Sequence, residues 1–179
     1  MRLILLNKYF CRCKYDLNYI FFSESEKIDE ERGVIMSRDD TVKILKECNA
    51  GVKMGVDSIA EVLDNVENNE YRKILEKNKE DHQKIGSEIH KLLNNYDEEG
   101  KEPNPMAKGM SWIKTNVMLT VNPDDHTVAD LITDGCNMGV KSLNRYLNKY
   151  DQADEQSKKL ANNLIQLEHQ LALDSRKFL

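Results

Sequence analysis

From Thr41 onward the apolar residues recur at Val42, Leu45, Cys48, Val52, Val56, Ile59, Leu63 and Val66, in steps of three or four. At 3.6 residues per turn these positions return to one side of an α-helix, so the spacing predicts a helix with a single buried stripe. A second stripe runs through Tyr71, Leu75, Ile85, Ile89, Leu92 and Tyr96, with Asn78 and His82 standing in the same seam. A third passes through Val128, Ile132, Cys136, Val140, Leu143, Leu147 and Tyr150, and a fourth through Leu160, Leu164, Leu167, Leu171 and Phe178. Each predicts a helix of about 25 residues, roughly 35 to 40 Å long at 1.5 Å per residue. Four amphipathic helices of one length bury their stripes only against each other, which predicts an all-α four-helix bundle.

The connections set the order of the helices. All three prolines fall between Pro103 and Pro123, outside the four stripes, in a connection running from about Asp97 to Asp125. That connection carries Met106, Met110, Ile113, Val117 and Val121 at helical spacing, with Trp112 among them, and predicts an amphipathic crossover helix. The first-to-second and third-to-fourth links are short. A long crossover lets the third helix start at the far end of the bundle and run parallel to the second, the up-down, down-up order of ferritin-like bundles.

A repeat supports the same layout. Cys48-Asn49-Ala50-Gly51-Val52-Lys53 recurs as Cys136-Asn137-Met138-Gly139-Val140-Lys141, 88 residues on, with five of six positions identical. The partner helices match at an offset of 89, which places Tyr71, Leu75, Asn78, His82 and Ile89 on Leu160, Leu164, Leu167, Leu171 and Phe178. A duplicated αα-hairpin packed on itself about a pseudo-twofold axis accounts for both observations.

Residues 1–35 follow different rules, with scattered aromatics, no helical stripe and charges interrupting each apolar stretch. They are expected to be an N-terminal extension to a bundle spanning 36–179, with Met36 as a candidate start and Ser37 as the cap of the first helix, followed by Asp39 and Asp40 in its first turn. Leu3 to Leu6 is too short for the core of an export signal, and the isolated pair Cys11 and Cys13 is a weak metal motif.

Composition narrows the function classes. The 179 residues carry 26 Lys and Arg against 31 Asp and Glu, a formal charge of -5, so an overall basic footprint for nucleic acid is absent and no nucleic-acid partner is expected. The short basic cluster Lys141 to Tyr146 does not alter that balance. No run approaches the roughly 18 apolar residues of a membrane span, so no membrane insertion is expected. Four cysteines, unevenly placed, suit neither a disulfide scaffold nor a zinc site, and a reducing cytoplasm is the expected compartment.

The stretch from Trp112 through MLTVNPDDHTVADLITDGCNMGVKSLNRYL, together with the terminal LEHQLALDSRKFL, resembles the bacterial ferritin-like proteins of unknown function related to rubrerythrins. The resemblance covers about Asp40 to Leu179. It implies a four-helix ferritin-like bundle with a helical crossover, and it implies little about activity.

Carboxylate-bridged di-iron bundles take a Glu from each of two helices and Glu-x-x-His from each of the other two. Here Lys79 precedes His82 by three positions, Ser87 precedes His90, and Gln166 precedes His169. Where acidic relatives would place a Glu after the repeat's glycine, Val52-Lys53 and Val140-Lys141 stand instead. No cofactor is therefore expected, with iron or manganese at a rearranged site around His82, Glu80, Glu168 and His169 as the alternative. Glu80, Asp81, Glu168 and His169 read as solvated or salt-bridged faces, and His82 with Asn78 as a hydrogen-bonded core pair or a polar pocket. Cys48 and Cys136 read as small core residues or as facing thiols. Gly51 and Gly139 suggest close helix approach, with Asn49 and Asn137 bonding across it. Lys53 and Lys141 read as snorkelling side chains or as an anion site inside the bundle. Phosphate loops, nucleophile elbows and His-Glu-x-x-His are not found. The expected function is that of a non-enzymatic bundle with an interaction or structural role, self-associating or bound to a protein partner.

Overall fold

The structure, a computed structural model, describes residues 16–100 and 124–179. Two compact units are distinguished, Met1–Ser37 and Arg38–Leu179, and the account that follows concerns the second. The described residues form four long helices and no strand: α1 Asp16–Val62, α2 Asn69–Asn94, α3 Asp125–Lys149 and α4 Glu155–Ser175. The expected crossover helix with Trp112, and the pair Cys11 and Cys13, lie outside the described residues. No helix among the described residues is long and apolar enough to cross a membrane.

Helix α1 corrects one expectation. Ser37 does not cap it, because the helix is already continuous from Asp16. The stretch before Ser37 lacks an apolar stripe but is rich in Glu, Lys and Arg, whose straight side chains lose little freedom in a helix, so propensity carries what periodicity does not.

The other three helices start where capping chemistry places them. Asn68 accepts from the backbone N–H groups of Glu70 at 2.9 Å and Tyr71 at 3.1 Å. Asp124 accepts from Thr127 N–H at 2.9 Å, and Asp154 from Ser157 N–H at 2.6 Å. Each satisfies a donor that the first helical turn leaves unpaired.

Two knots fix the directions. Asp125, in the first turn of α3, accepts from the backbone N–H groups of Glu67 at 2.9 Å and Asn68 at 3.0 Å, so α3 begins at the end where α1 stops and α2 starts. At the other end the Asp154 N–H donates to Thr41 Oγ1 at 2.8 Å, and its carboxylate accepts from the Tyr96 hydroxyl at 3.1 Å. Burial alone would push the Asp154 carboxyl up; the Ser157 and Tyr96 bonds outweigh it and hold the group below its ordinary value. Helices α2 and α3 therefore point one way, and α1 beyond Arg38 and α4 the other. The end of α2 and the start of α3 therefore lie at opposite ends of the bundle, about 39 Å apart at the rise of the 26-residue α2.

The core divides into two apolar clusters. One gathers Leu45, Cys48, Val52, Ile89, Leu93, Leu143, Leu160 and Leu164; the other gathers Ile59, Val62, Tyr71, Leu75, Val128, Ile132, Cys136 and Leu171. In the second, Tyr71 stacks on Phe178 with ring centroids 4.3 Å apart and donates to Ser175 Oγ at 3.2 Å. Along α2 and α4 the residues between the clusters are Asn78, His82 and Glu168, all buried and all polar. The bundle thus has a polar layer at mid-height.

Candidate functional site

His82 is the centre of that layer and is fully buried. Its Nδ1 lies 3.0 Å from the backbone oxygen of Asn78, one helical turn earlier, and its Nε2 lies 3.1 Å from Glu168 Oε1 on α4. A backbone carbonyl only accepts, so Nδ1 carries a hydrogen. The Nε2 contact then needs a second proton, held either by the imidazolium or by a protonated Glu168. Burial pushes the His82 pKa down, but the hydrogen bond and charge of Glu168, the Asn78 carbonyl and Asp81 outweigh it, so the net shift is upward. That direction favours imidazolium against carboxylate.

Glu168, expected on a solvated or salt-bridged face, is ion-paired, but inside the bundle rather than on its surface. It is 9% exposed and sits inside the bundle, with its Oε1 3.1 Å from His82 Nε2 and its carboxylate beside the thiol of Cys136. Burial first, then the adjacent Glu168 carboxylate, push the Cys136 thiol well above its ordinary value and keep it protonated.

Two glycines make room for this pair. A Cβ on Gly55 of α1 would meet His82 Cδ2 and Nε2 at 2.8 Å, and one on Gly139 of α3 would meet the Glu168 carboxyl carbon at 3.3 Å. Gly139 is thus a point of close approach, as its place in the repeat suggests. Gly51 is not, since its Cβ would stand 3.8 Å from Leu164 in ordinary contact. The α1–α2 approach uses Gly86 instead, against Val52 at 2.9 Å.

Beside the polar layer, between α1 and α3, lies a pocket of about 80 Å³. Its walls are one face of α1, from Glu47 through Gly51, Met54 and Gly55 to Ser58, and one face of α3, from Leu131 through Gly135, Cys136 and Gly139 to Tyr146. His82, Leu164, Glu168 and Leu171 form its floor. A Cβ on Gly135 would find no atom of the described residues within 4 Å.

Of the residues singled out in the sequence, the structure brings His82, Cys136 and Glu168 together. Asn78 is buried nearby, but its side chain turns to the α2–α4 contact, where Nδ2 donates to Leu167 O at 3.4 Å and Oδ1 has no partner. Its bond to His82 is through the backbone rather than the side chain. Cys48 and Cys136 are not facing thiols: Cys48 packs in the other apolar cluster, where burial raises its pKa to about 12. Lys141 is exposed, Lys53 is half-buried, and neither lines the pocket, so the anion site is not assembled. Asn137 is exposed while Asn49 is buried against Gly100, so they do not bond to each other across a helix contact.

The residues of the metal alternative are not gathered around one point. Both ring nitrogens of His82 are engaged, Glu80 and His169 are exposed, and Glu80, two residues from His82, faces away from it. No group of three or more His, Cys, Asp and Glu side chains among the described residues is placed to hold a metal ion.

Sequence reasoning named Glu168 only as a weak metal ligand on an outer face, and it missed Gly55. Glu168 stands four residues after Leu164 and three before Leu171, on the buried stripe, which is a readable signal. Gly55 follows Gly51 by one turn, and Gly135 precedes Gly139 by one turn, so each of the two facing helices carries Gly-x-x-x-Gly. Both ring nitrogens of His82 are bonded and the Cys136 thiol is protonated, so the site presents a polar floor under an apolar pocket. Compared with protein-family models, with curated proteins and with solved structures, the chain matches none.

Proposed function

We propose that this chain is a non-enzymatic binding module of ferritin-like architecture, whose working part is the pocket between α1 and α3. The helix directions support the ferritin-like reading, and so does the repeat. Asn78 touches Leu167, the residue 89 positions on that the duplication makes its counterpart, as residues near a pseudo-twofold axis do. The duplicated hairpin is the scaffold in this reading, and the polar layer is what one half gained.

One observation carries the functional part. Gly135 lies within α3, where glycine costs about 1 kcal/mol relative to alanine, and nothing among the described residues needs its missing side chain. Its Cβ direction is open space at the pocket wall. A residue that weakens its helix and fills no packing need is explained by an occupant of that space.

The test compares the full chain with Gly135→Leu after incubation with a small-molecule extract, read by native mass spectrometry. A non-covalent adduct on the wild type that the variant loses is the expected result. The same adduct on both, or none on either, overturns the reading.

A further inference from the structure

The lining selects which part of a ligand the pocket takes, a reading that rests on the pocket proposed above. Five titratable side chains border the space: Glu47 on α1, His82 on α2, Cys136 and Tyr146 on α3, and Glu168 on α4. Each is already engaged. His82 Nε2 and Glu168 Oε1 face each other at 3.1 Å, the protonated Cys136 thiol stands beside the same carboxylate, and Glu47 and Tyr146 have interactions of their own. A charged group brought to the floor has to displace one of these partners, and a buried pair that loses a member is costly.

Apart from Ser58 and Ser142, the remaining wall is glycine, aliphatic or thioether, with Leu131 and Leu143 from α3 and Leu164 and Leu171 from α4. Among the glycines, Gly55 and Gly139 are used in seating His82 and Glu168, whereas Gly135 borders clear space. Ordered water in a cavity needs about two to four polar partners, and apolar walls supply none. A hydroxyl or amide pressed against the same walls loses its hydrogen bonds to water without replacement. The group that reaches the floor is therefore apolar.

Volume sets the depth. About 80 Å³ is roughly half of the 150 Å³ apolar cavity that holds a benzene ring in an engineered protein, so about three carbon atoms fill it rather than six. The pocket nevertheless reaches the surface: Met138 lines it and is 58% exposed, and Met54 on the facing helix is half-buried. Thioether side chains adapt to irregular alkyl groups. A molecule longer than the pocket can seat one end and leave the other in water. We infer that the pocket takes the apolar end of an aliphatic molecule, about three carbons deep, with the polar end of that molecule in water beside Met138.

The test titrates the full chain, labelled at its methionine methyl groups, with ethanol, 1-propanol, 1-butanol, 1-hexanol and butane-1,4-diol, reading the Met54 and Met138 signals by NMR. Affinity is expected to rise about fourfold for each added methylene from ethanol to 1-butanol. From 1-butanol to 1-hexanol it should rise less than about twofold, because further carbons stay in water. Butane-1,4-diol has the chain of 1-butanol but no apolar end, and should bind at least about tenfold more weakly. Gly135→Leu puts a four-carbon aliphatic group into the same space and should abolish binding of every alcohol. Should that variant fail to fold, the chain-length series and the diol on the wild type still decide. A diol that binds as well as 1-butanol, an affinity that climbs as steeply to 1-hexanol, or binding by none of the alcohols overturns the inference. In each of these cases an extract adduct that Gly135→Leu loses leaves the pocket standing. Alcohol binding that Gly135→Leu leaves intact overturns both.

Discussion

The α1–α2 and α3–α4 hairpins carry the same apolar stripe and the same Cys-Asn-x-Gly-Val-Lys stretch, yet they fill the middle of the bundle differently. Where α4 has Leu167 and Leu171, α2 has Asn78 and His82. Where the first copy's cysteine is sealed among aliphatics, the second copy's cysteine meets Glu168. The first copy's glycine makes ordinary contact with Leu164, whereas the second supports a carboxylate. A bundle of this size does not need a polar layer, since leucines at the same height satisfy both halves. The asymmetry is therefore confined to the polar residues of α2 and α4 and the side chains they meet.

The largest expected effect comes from breaking the pair. Glu168→Ala leaves His82 without its counter-charge in a site that is fully buried, and removing one partner of such a pair typically costs about 3 to 5 kcal/mol. The double variant His82→Leu with Glu168→Leu makes the first hairpin resemble the second. Replacing a buried ion pair by apolar residues is often neutral or stabilising, so the double variant is expected to recover most of the loss. Urea unfolding of the wild type, Glu168→Ala, the single variants His82→Leu and Glu168→Leu, and the double variant checks it; a double variant as unstable as the sum of the two single leucine variants would mean that the layer holds the bundle together.

Next are the glycines, which the two helices use in opposite ways. Gly55→Ala places a methyl group 2.8 Å from the imidazole. Overpacking of that kind costs about 1 to 3 kcal/mol, partly offset by the gain of about 1 kcal/mol in helix propensity. Gly135→Ala meets nothing and is expected to stabilise by about 1 kcal/mol. Opposite signs in denaturant midpoints, at unchanged slope, are the expected result.

The stripes explain why the helices were legible and the site only partly so. Four sets of residues three and four apart locate four helices, because periodicity is a property of each helix alone. His82 and Asn78 were visible as polar interruptions for the same reason. Glu168 was not, although it lies on the stripe. A carboxylate is usually solvated, and what pulls it inward is an imidazole 86 residues away on another helix. The two cysteines mislead in the converse sense: identical neighbours in sequence suggest identical environments, but the environments come from α2 and α4, where the copies differ. Ser37 shows the remaining limit of pattern, since a run of good helix formers extends α1 past a residue that would otherwise cap it.

The pH dependence tests the same asymmetry more gently. The His82 pKa is raised in the folded state, so its contribution is fully present below the unfolded histidine value of about 6.5 and is lost as pH rises through the folded value. The charged or titratable groups that face it are Glu168 from α4, Asp81 beside it on α2 and the Cys136 thiol from α3, while α1 offers only the backbone at Gly55. The melting temperature should therefore be higher at pH 6 than at pH 9, and this component should vanish in the double leucine variant. An unchanged pH difference in that variant would assign it to other groups.

The smallest effect belongs to a shorter contact. Lys177 Nζ lies 2.6 Å from Glu70 Oε1, closer than His82 is to Glu168, but the two side chains are 50% and 69% exposed. Water screens both charges, and ordering two long side chains costs entropy, so exposed pairs contribute about 0 to 1 kcal/mol. Lys177 also stands over the Phe178 ring at 5.2 Å, a contact that Glu70→Gln leaves in place and Lys177→Ala removes. Glu70→Gln is expected to shift stability by less than about 0.5 kcal/mol and Lys177→Ala by somewhat more. A loss in Glu70→Gln approaching that in Glu168→Ala would show that distance, rather than burial, ranks the ion pairs of this bundle, and would remove the reason for treating its two halves as different.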